Sequence, residues 1–323
     1  MYLLITIIRN LLFNCGILKS KSYQDVFILC VGNIRVGGTG KTPMIEYLIR
    51  HLKDEFPLAV VSLGYKRKSK GLKEVLLSDS AISVGDESKQ MKEKFPMIPF
   101  FVNKNRNTAI DYIRNKLPNI QLILLDDAYQ YRKTKSTKTI LLTEFNRPYF
   151  HDKVIPYGWL RERRSESRRA NYIVVTKCPD DITTQDKNTF IQKLNPNKKQ
   201  RIFFSKIKYN DLLLSPATSQ LLFIAGIDNP QPALNFLLSK GYDVILKKFS
   251  DHHIFKQCDI NQIKKLAGNN RLIVTTEKDA VRLRHFDLNF NVLTIENEID
   301  NNFIYFLKNE LRKHIRSNKF HKI

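Results

Sequence analysis

The chain alternates short, continuous apolar runs with stretches whose apolar residues return every three or four positions. The runs fall at residues 25–31 (DVFILCV), 58–62, 72–77, 97–102, 120–125 (IQLILL), 139–143 and 171–176. Too short for buried helices and rich in Val, Ile and Leu, they predict strands covered on both faces. Helical spacing predicts helices over 43–53, where Met44, Leu48 and Leu52 share a face, and over 105–116. Buried strands separated by helices predict a mainly parallel sheet in an α/β fold. A second, shorter series follows: strands at 220–225, 242–249, 271–276 and 291–295, and helices at 230–239, 259–267, 277–284 and 299–314. Residues 201–215 read as a connecting strand that turns at Ser215-Pro216. The expected division is a large unit over 21–212 and a smaller α/β unit over 213–323, preceded by a helix within 1–20.

That first helix, from MYLLITIIRNLLFNCGIL, carries Thr6, Arg9, Asn10 and Asn14 on one polar stripe with apolar residues elsewhere. Arg9 at mid-span costs about 2.5–3.5 kcal/mol on insertion scales, which disfavours a simple membrane-spanning helix. Two placements stay open: a helix at a membrane surface, or one packed on the protein's own core. A cleaved signal peptide is disfavoured, because no basic stretch precedes the apolar run and no small-residue cleavage site follows it.

The formal net charge of +23 favours anionic partners, unless it reflects a Lys-, Asn- and Ile-rich genome. No basic strand interleaved with aromatics supports nucleic acid as the partner. Cys15, Cys30, Cys178 and Cys258 form no C-x-x-C pair, so neither a disulfide framework nor a zinc site is indicated, and a reducing compartment fits. Nothing in the chain indicates an oligomeric state.

The candidate chemistry begins at CVGNIRVGGTGKTP, residues 30–43. A buried strand ends in a glycine-rich turn, and Lys41-Thr42-Pro43 opens a helix. This is the setting in which backbone N–H groups and a helix N-terminus cradle phosphates. The nucleotide loop is Arg35, Val36, Gly37, Gly38, Thr39, Gly40, Lys41 and Thr42. Lys41 is the phosphate-binding cation, and Thr42 offers a hydroxyl to Mg²⁺ of bound ATP. Arg35 stands where the strict pattern has glycine. Asp126 and Asp127 end a buried strand, as the acidic metal partners of such a loop do, although carboxylates also end strands merely because the chain leaves the core. Asp86-Glu87 in VGDES marks a helix start, with capping or chemistry both open. In SDHHIF, Asp251, His252 and His253 follow a strand of the second series, where a carboxylate can orient a histidine base. The run WLRERRSESRR (Trp159–Arg169) is either a solvated face or a surface for a phosphorylated substrate or membrane.

Together these stretches resemble the tetraacyldisaccharide 4'-kinase family. The matching pieces are VGNIRVGGTGKTP, VSLGY at 61–65, VGDES at 84–88, LLDDAYQYR at 124–132, IPYGWLRER at 155–163, AGI at 225–227, SDHHIF at 250–255 and TTEKDAVRL at 275–283. The resemblance implies a P-loop NTPase-like α/β/α sandwich and a smaller α/β domain joined to it by a short β-ribbon, with the active site in the cleft. It implies phosphorylation by ATP, with Mg²⁺, of the 4'-hydroxyl of an acylated disaccharide 1-phosphate at the cytosolic face of the inner membrane. Carried over by position, Lys41 binds phosphate, and Thr42, Asp127 and Asp126 serve the metal. Asp86 becomes the base, His252 its partner from the second domain and Asp251 the group orienting that histidine; Glu277 and Lys278 line the second domain's face. Ala128, Tyr131 and Leu63 depart from the family's usual Gly, His and Arg. The rival is a membrane-associated P-loop ATPase of the partition or division-site type, with loop K-G-G-x-G-K-[ST], whose extra lysine would fall at Val36.

Overall fold

A computed structural model describes residues 2–212 and 220–320. The apolar runs of the large unit become β1 (Phe27–Gly32), β2 (Leu58–Ser62), β3 (Lys73–Glu74), β4 (Phe100–Val102), β5 (Leu122–Asp126), β6 (Lys138–Glu144), β7 (Tyr172–Thr176) and β8 (Arg201–Tyr209). The smaller unit contributes β9 (Gln220–Ala225), β10 (Asp243–Lys248), β11 (Leu272–Thr276) and β12 (Asn291–Leu293), and β13 (Ile295–Ile299) returns toward β8. The helices are α1 (Tyr2–Asn14), α2 (Lys41–Leu52), α3 (Ala81–Val84), α4 (Asp86–Lys94), α5 (Arg106–Lys116), α6 (Thr184–Leu194), α7 (Gln231–Ser239), α8 (Gln257–Ala267), α9 (Glu277–Leu283) and α10 (Asn301–Phe320).

The large sheet runs β13-β8-β7-β6-β1-β5-β2-β4-β3, parallel except at its two edge strands. Cys30 of β1 sits between Leu125 of β5 and Thr139 of β6, so the first strand lies centrally and its carboxyl end opens at the point where the strand order reverses. On one face Met44 and Leu48 of α2, Met91 of α4 and Phe303, Leu307 and Leu311 of α10 pack on Leu29, Val31 and Leu124. On the other, Ala109, Ile110 and Ile113 of α5 cover Ile28 and Ile123, while Phe190 and Leu194 of α6 cover Leu141 and Ile173. The expected α/β/α sandwich is the architecture observed. The smaller unit is a parallel sheet in the order β10-β9-β11-β12.

One strand leads from one unit toward the other. The first half of β8 pairs with β7, Tyr172↔Arg201 through Val175↔Phe204; its second half pairs with β13, Ser205↔Ile299 through Tyr209↔Ile295. The expected connector over 201–215 is thus a β-ribbon as far as Tyr209, and residues 213–219 lie outside the described ones. The expectation of one unit running from 213 to 323 separates α10 from its packing partners, because the helix buries Phe303, Leu307 and Leu311 in the core of the large unit.

Other differences have local causes. The strand expected over 72–77 is cut to Lys73–Glu74, because Val75 is buried but the chain then turns, with Asp79 Oδ2 accepting from Leu76 N (2.9 Å), and leaves Leu76 and Leu77 exposed. The strand expected from 97 begins at Phe100, after a turn closed by Ile98 N to Phe95 O (3.1 Å). The last short strand, expected at 291–295, divides between two sheets as β12 and β13. Helix α6, unforeseen, starts at a reciprocal Thr183–Asp186 capping box.

Helix α1 turns the middle of its polar stripe inward. Thr6 and Asn10 are inside, while Leu4, Ile5, Ile8 and Leu11 are 60, 58, 47 and 57% exposed. Its inward face is held by Glu162, wholly buried, which accepts from Arg9 NH2 (2.6 Å), Asn10 Nδ2 (3.0 Å) and Arg169 NH2 (2.6 Å). Arg132 adds bonds to Asn10 O (3.0 Å) and Asn14 Oδ1 (2.7 Å). The helix is therefore packed on the protein itself, through polar and charged contacts, while its apolar residues face outward. No helix among the described residues is long and apolar enough to cross a membrane.

Candidate active site

The phosphate loop spans the gap between β1 and α2. Gly40, at φ +87°, is the residue before the helix, so Lys41 and Thr42 occupy its first turn. The loop is fixed from several sides. Asn33 Nδ2 donates to Thr39 Oγ1 (2.6 Å), and Thr176 Oγ1 at the end of β7 donates to Thr39 O (2.9 Å). Lys177 Nζ lies 2.5 Å from Gly38 O and 2.5 Å from Glu144 Oε1. On the other flank Val36 N donates to Trp159 O (2.8 Å) and Arg161 N to Ile34 O (2.7 Å). Arg35, the residue that departs from the loop pattern, forms an ion pair with Asp152 (2.8 Å). Its guanidinium is thereby committed to the neighbouring loop.

Lys41 reaches Asp127 at 3.7 Å, and Arg161 reaches the same carboxylate at 2.9 Å and also bonds Asn33 Oδ1. The two adjacent aspartates are tuned in opposite directions. Burial lifts Asp126 to a pKa of about 7, helped by the nearby charges of Glu87 and Asp127. Burial pushes Asp127 up as well, but Lys41 and Arg161 outweigh it and hold the group below the usual carboxylate range. Asp126 Oδ1 is buried without a hydrogen-bond partner among the described residues. A buried carboxylate oxygen with a spare lone pair, pressed by two further carboxylates, is donor chemistry that suits a hard divalent cation, and Thr42, Asp126 and Asp127 are the residues that could hold one. Arg106, also buried, contributes its charge to both aspartates from the start of α5.

The second half of the site comes from the smaller unit. Asp86 opens α4, yet its carboxylate reaches across to His252 Nδ1 at 3.1 Å. Gly85 precedes the helix and no side chain caps it, so the Asp86 carboxylate is free for its contact across the units. Lys278 Nζ lies 2.9 Å from His252 Nε2 and 3.0 Å from Asp251 Oδ1. A lysine ammonium has only donors, so Nε2 accepts and Nδ1–H donates to Asp86. Asp251 stands 3.9 Å from Nε2, a position Lys278 already fills, so it touches the histidine only through that lysine. Glu277 turns instead to Lys94 of α4 (2.5 Å) and to Ile295 N (3.3 Å).

Behind His252 the three motifs of the smaller unit form one scaffold. Asp279 is wholly buried and accepts from Gly226 N (2.9 Å), Thr276 Oγ1 (2.7 Å) and Arg282 NH2 (2.6 Å). Arg282 in turn donates to His253 O (2.8 Å) and lies 3.7 Å from Asp86. A Cβ on Gly226 would meet Asp279 Oδ1 at 2.8 Å, which explains the glycine. His253 bonds Asp259 (3.0 Å) and serves this scaffold.

The structure thus gathers Lys41, Asp126 and Asp127 at the phosphate end and joins Asp86 to His252 across the units. Sequence reasoning did not single out Arg161, Arg106, Lys177 or Glu144 by position, and it named Glu87 only with Asp86 at the helix start. Arg161 lay inside a recognised arginine run.

A family model described as "Tetraacyldisaccharide-1-P 4'-kinase" matches residues 1–312. The chain belongs to this family. The tetraacyldisaccharide 4'-kinase of Bacteroides thetaiotaomicron is 42% identical over 302 residues, covering 86% of this chain and 79% of that protein. Its counterpart in Flavobacterium psychrophilum is 43% identical over 295 residues, covering 88% and 84%. The crystal structure of "apo" form LpxK from Aquifex aeolicus in complex with ATP shares the fold at a TM-score of 0.77 and 26% identity, over 97% of this chain and 96% of that one. The match to tetraacyldisaccharide 4'-kinases along the chain leaves the partition-type ATPase reading without support. At the residue that would decide it, Val36 contributes its backbone N–H to Trp159 O.

Proposed function

We propose that the protein transfers the γ-phosphoryl group of ATP in line to the 4'-hydroxyl of an acylated disaccharide 1-phosphate, a step of lipid A biosynthesis. The observation carrying this reading is the Asp86–His252 pair, formed between the two units at 3.1 Å, beside a phosphate loop whose lysine faces Asp127. Asp86 takes the hydroxyl proton on the oxygen that His252 does not occupy. The histidine holds that carboxylate in place, and Lys278 fixes its tautomer. Lys41, Arg161 and Arg106 offset the charge of the transferring group in a loose transition state. Thr42, Asp126 and Asp127 would hold Mg²⁺, which neutralises phosphate charge when bound. Asp251 supports the dyad through Lys278.

The acceptor is lipid-borne, and the exposed apolar face of α1 supports peripheral docking on the membrane that contains it, at the cytoplasmic face of the inner membrane. Large and small units divide at the β8–β13 ribbon, with α10 grouped with the large one.

The test is a phosphotransfer assay with MgATP and a lipid A disaccharide 1-phosphate acceptor, comparing wild type, Asp86→Ala and His252→Ala. Wild type transfers phosphate, and each variant loses about 10²- to 10⁴-fold in kcat while retaining ATP binding. Near-normal turnover in both variants removes the dyad. An inactive wild type, where the Bacteroides relative is active, removes the whole reading.

A further inference from the structure

Residues 152–160 form a small hairpin-shaped loop, closed by the Val154–Leu160 bridge, that lies against the phosphate loop. Its base is tightly specified. Asp152 Oδ1 accepts from Lys153 N (2.8 Å) and Trp159 N (3.1 Å), while its other oxygen takes Arg35. Leu160 N donates to Lys153 O (2.9 Å) and Ile155 N to Leu160 O (3.0 Å). A Cβ on Gly158 would run into Asp152 Oδ1 and Lys153 O, so the returning backbone requires glycine there. The tip is the opposite in character. Tyr157 is 84% and Trp159 59% exposed, with nothing of the protein folded over them.

The surroundings say what meets this tip. Lys153, Arg163 and Arg164 are exposed around it, and Leu3 of α1 lines the same cleft as Tyr157, Leu160, Arg163 and Arg164. Tyr2 Oη donates to Arg161 O (3.0 Å), which seats the start of α1 beside the hairpin. Exposed Tyr and Trp next to cations, continuous with an apolar helix face, match an interface where aromatic rings sit at headgroup depth and basic side chains meet anionic lipid.

We propose that residues 153–160 are a second membrane contact, inserting Tyr157 and Trp159 into the headgroup layer of an anionic bilayer alongside the apolar face of α1. The inference rests on the membrane docking proposed above and adds to it a connection to the chemistry. The hairpin is bolted to the phosphate loop by Arg35–Asp152, by Val36 N to Trp159 O and by Arg161 N to Ile34 O. The loop that receives ATP is thereby held at a fixed height above the lipid. This gives Arg35 a reason: it is a positioning residue, tying the phosphate loop to the membrane-facing hairpin.

Trp159 is the chain's single tryptophan, so its emission reports the tip alone. The full chain is titrated with vesicles of phosphatidylethanolamine and phosphatidylglycerol, with binding followed by sedimentation. Binding shifts Trp159 emission to shorter wavelength, lipids brominated high on the acyl chain quench it, and Tyr157→Ser weakens vesicle affinity about tenfold. Sedimentation with unchanged and unquenched Trp159 emission overturns the hairpin proposal while leaving α1 docking intact. Equal affinity for purely phosphatidylcholine vesicles overturns the anionic partner, and no sedimentation with any vesicle overturns both the hairpin and the membrane reading beneath it.

Discussion

Helices α1 and α10 stand at opposite ends of the chain, and both are amphipathic. Helix α10 buries Phe303, Leu307 and Leu311 against β1 and its neighbours, as hydrophobic burial requires of a surface helix. Helix α1 does the reverse, enclosing Thr6 and Asn10 and presenting Leu4, Ile5, Ile8 and Leu11 outward. The difference lies in what each helix meets. Under α10 is a dry sheet face; under α1 is Glu162, a carboxylate with no exposed surface that needs charged and amide donors to be tolerated there. An apolar periodicity defines a face and leaves open whether the protein or the membrane receives it.

The sharpest way to break this contrast is to remove the buried anion. Glu162→Ala leaves Arg9 and Arg169 without their shared partner and is expected to cost about 4 kcal/mol, measured by urea unfolding. An unchanged midpoint would mean that the polar face of α1 is not what holds it. On the other helix, Leu307→Ala opens a cavity beneath α10 and is expected to cost about 3 kcal/mol in the same experiment. A loss below about 1 kcal/mol would place α10 outside the cooperative core. The smallest stability effect is expected on α1's outer face. Ile5→Ser should move the unfolding free energy by no more than about 0.5 kcal/mol while reducing vesicle binding. A large destabilisation there would make that face part of the fold and end the contrast.

Much of the site was legible because its chemistry is local. A strand, a glycine turn and Lys41-Thr42 in one run are the local pattern of a phosphate loop, and Asp126-Asp127 at a strand end are read as its acidic partner only in that company. Asp86 and His252 were legible only as members of motifs, since 166 positions separate them and nothing local says that they touch. Asp251 shows the limit of adjacency: next to His252 in sequence, it lost the ring nitrogen to Lys278, which a different element supplies. Arg161 and Lys177 reach the phosphate loop from loops after other strands; the run that holds Arg161 could be seen in the sequence but not which of its arginines turns inward, and Lys177 sits in no pattern at all.

Sequence by itself determined the parallel α/β architecture, the pattern of a phosphate loop, the strand-end carboxylates and the amphipathic nature of the first helix. These follow from period, length and short-range residue chemistry, which act between near neighbours in the chain. Only the tertiary structure decided that α10 belongs with the large unit, that α1 turns the middle of its polar stripe inward, that Asp86 meets His252 and that Arg35 pairs with Asp152. Each of those outcomes depends on which distant charge or apolar surface arrives opposite a given face. That is set by strand order and the β8–β13 ribbon, and no local pattern encodes it.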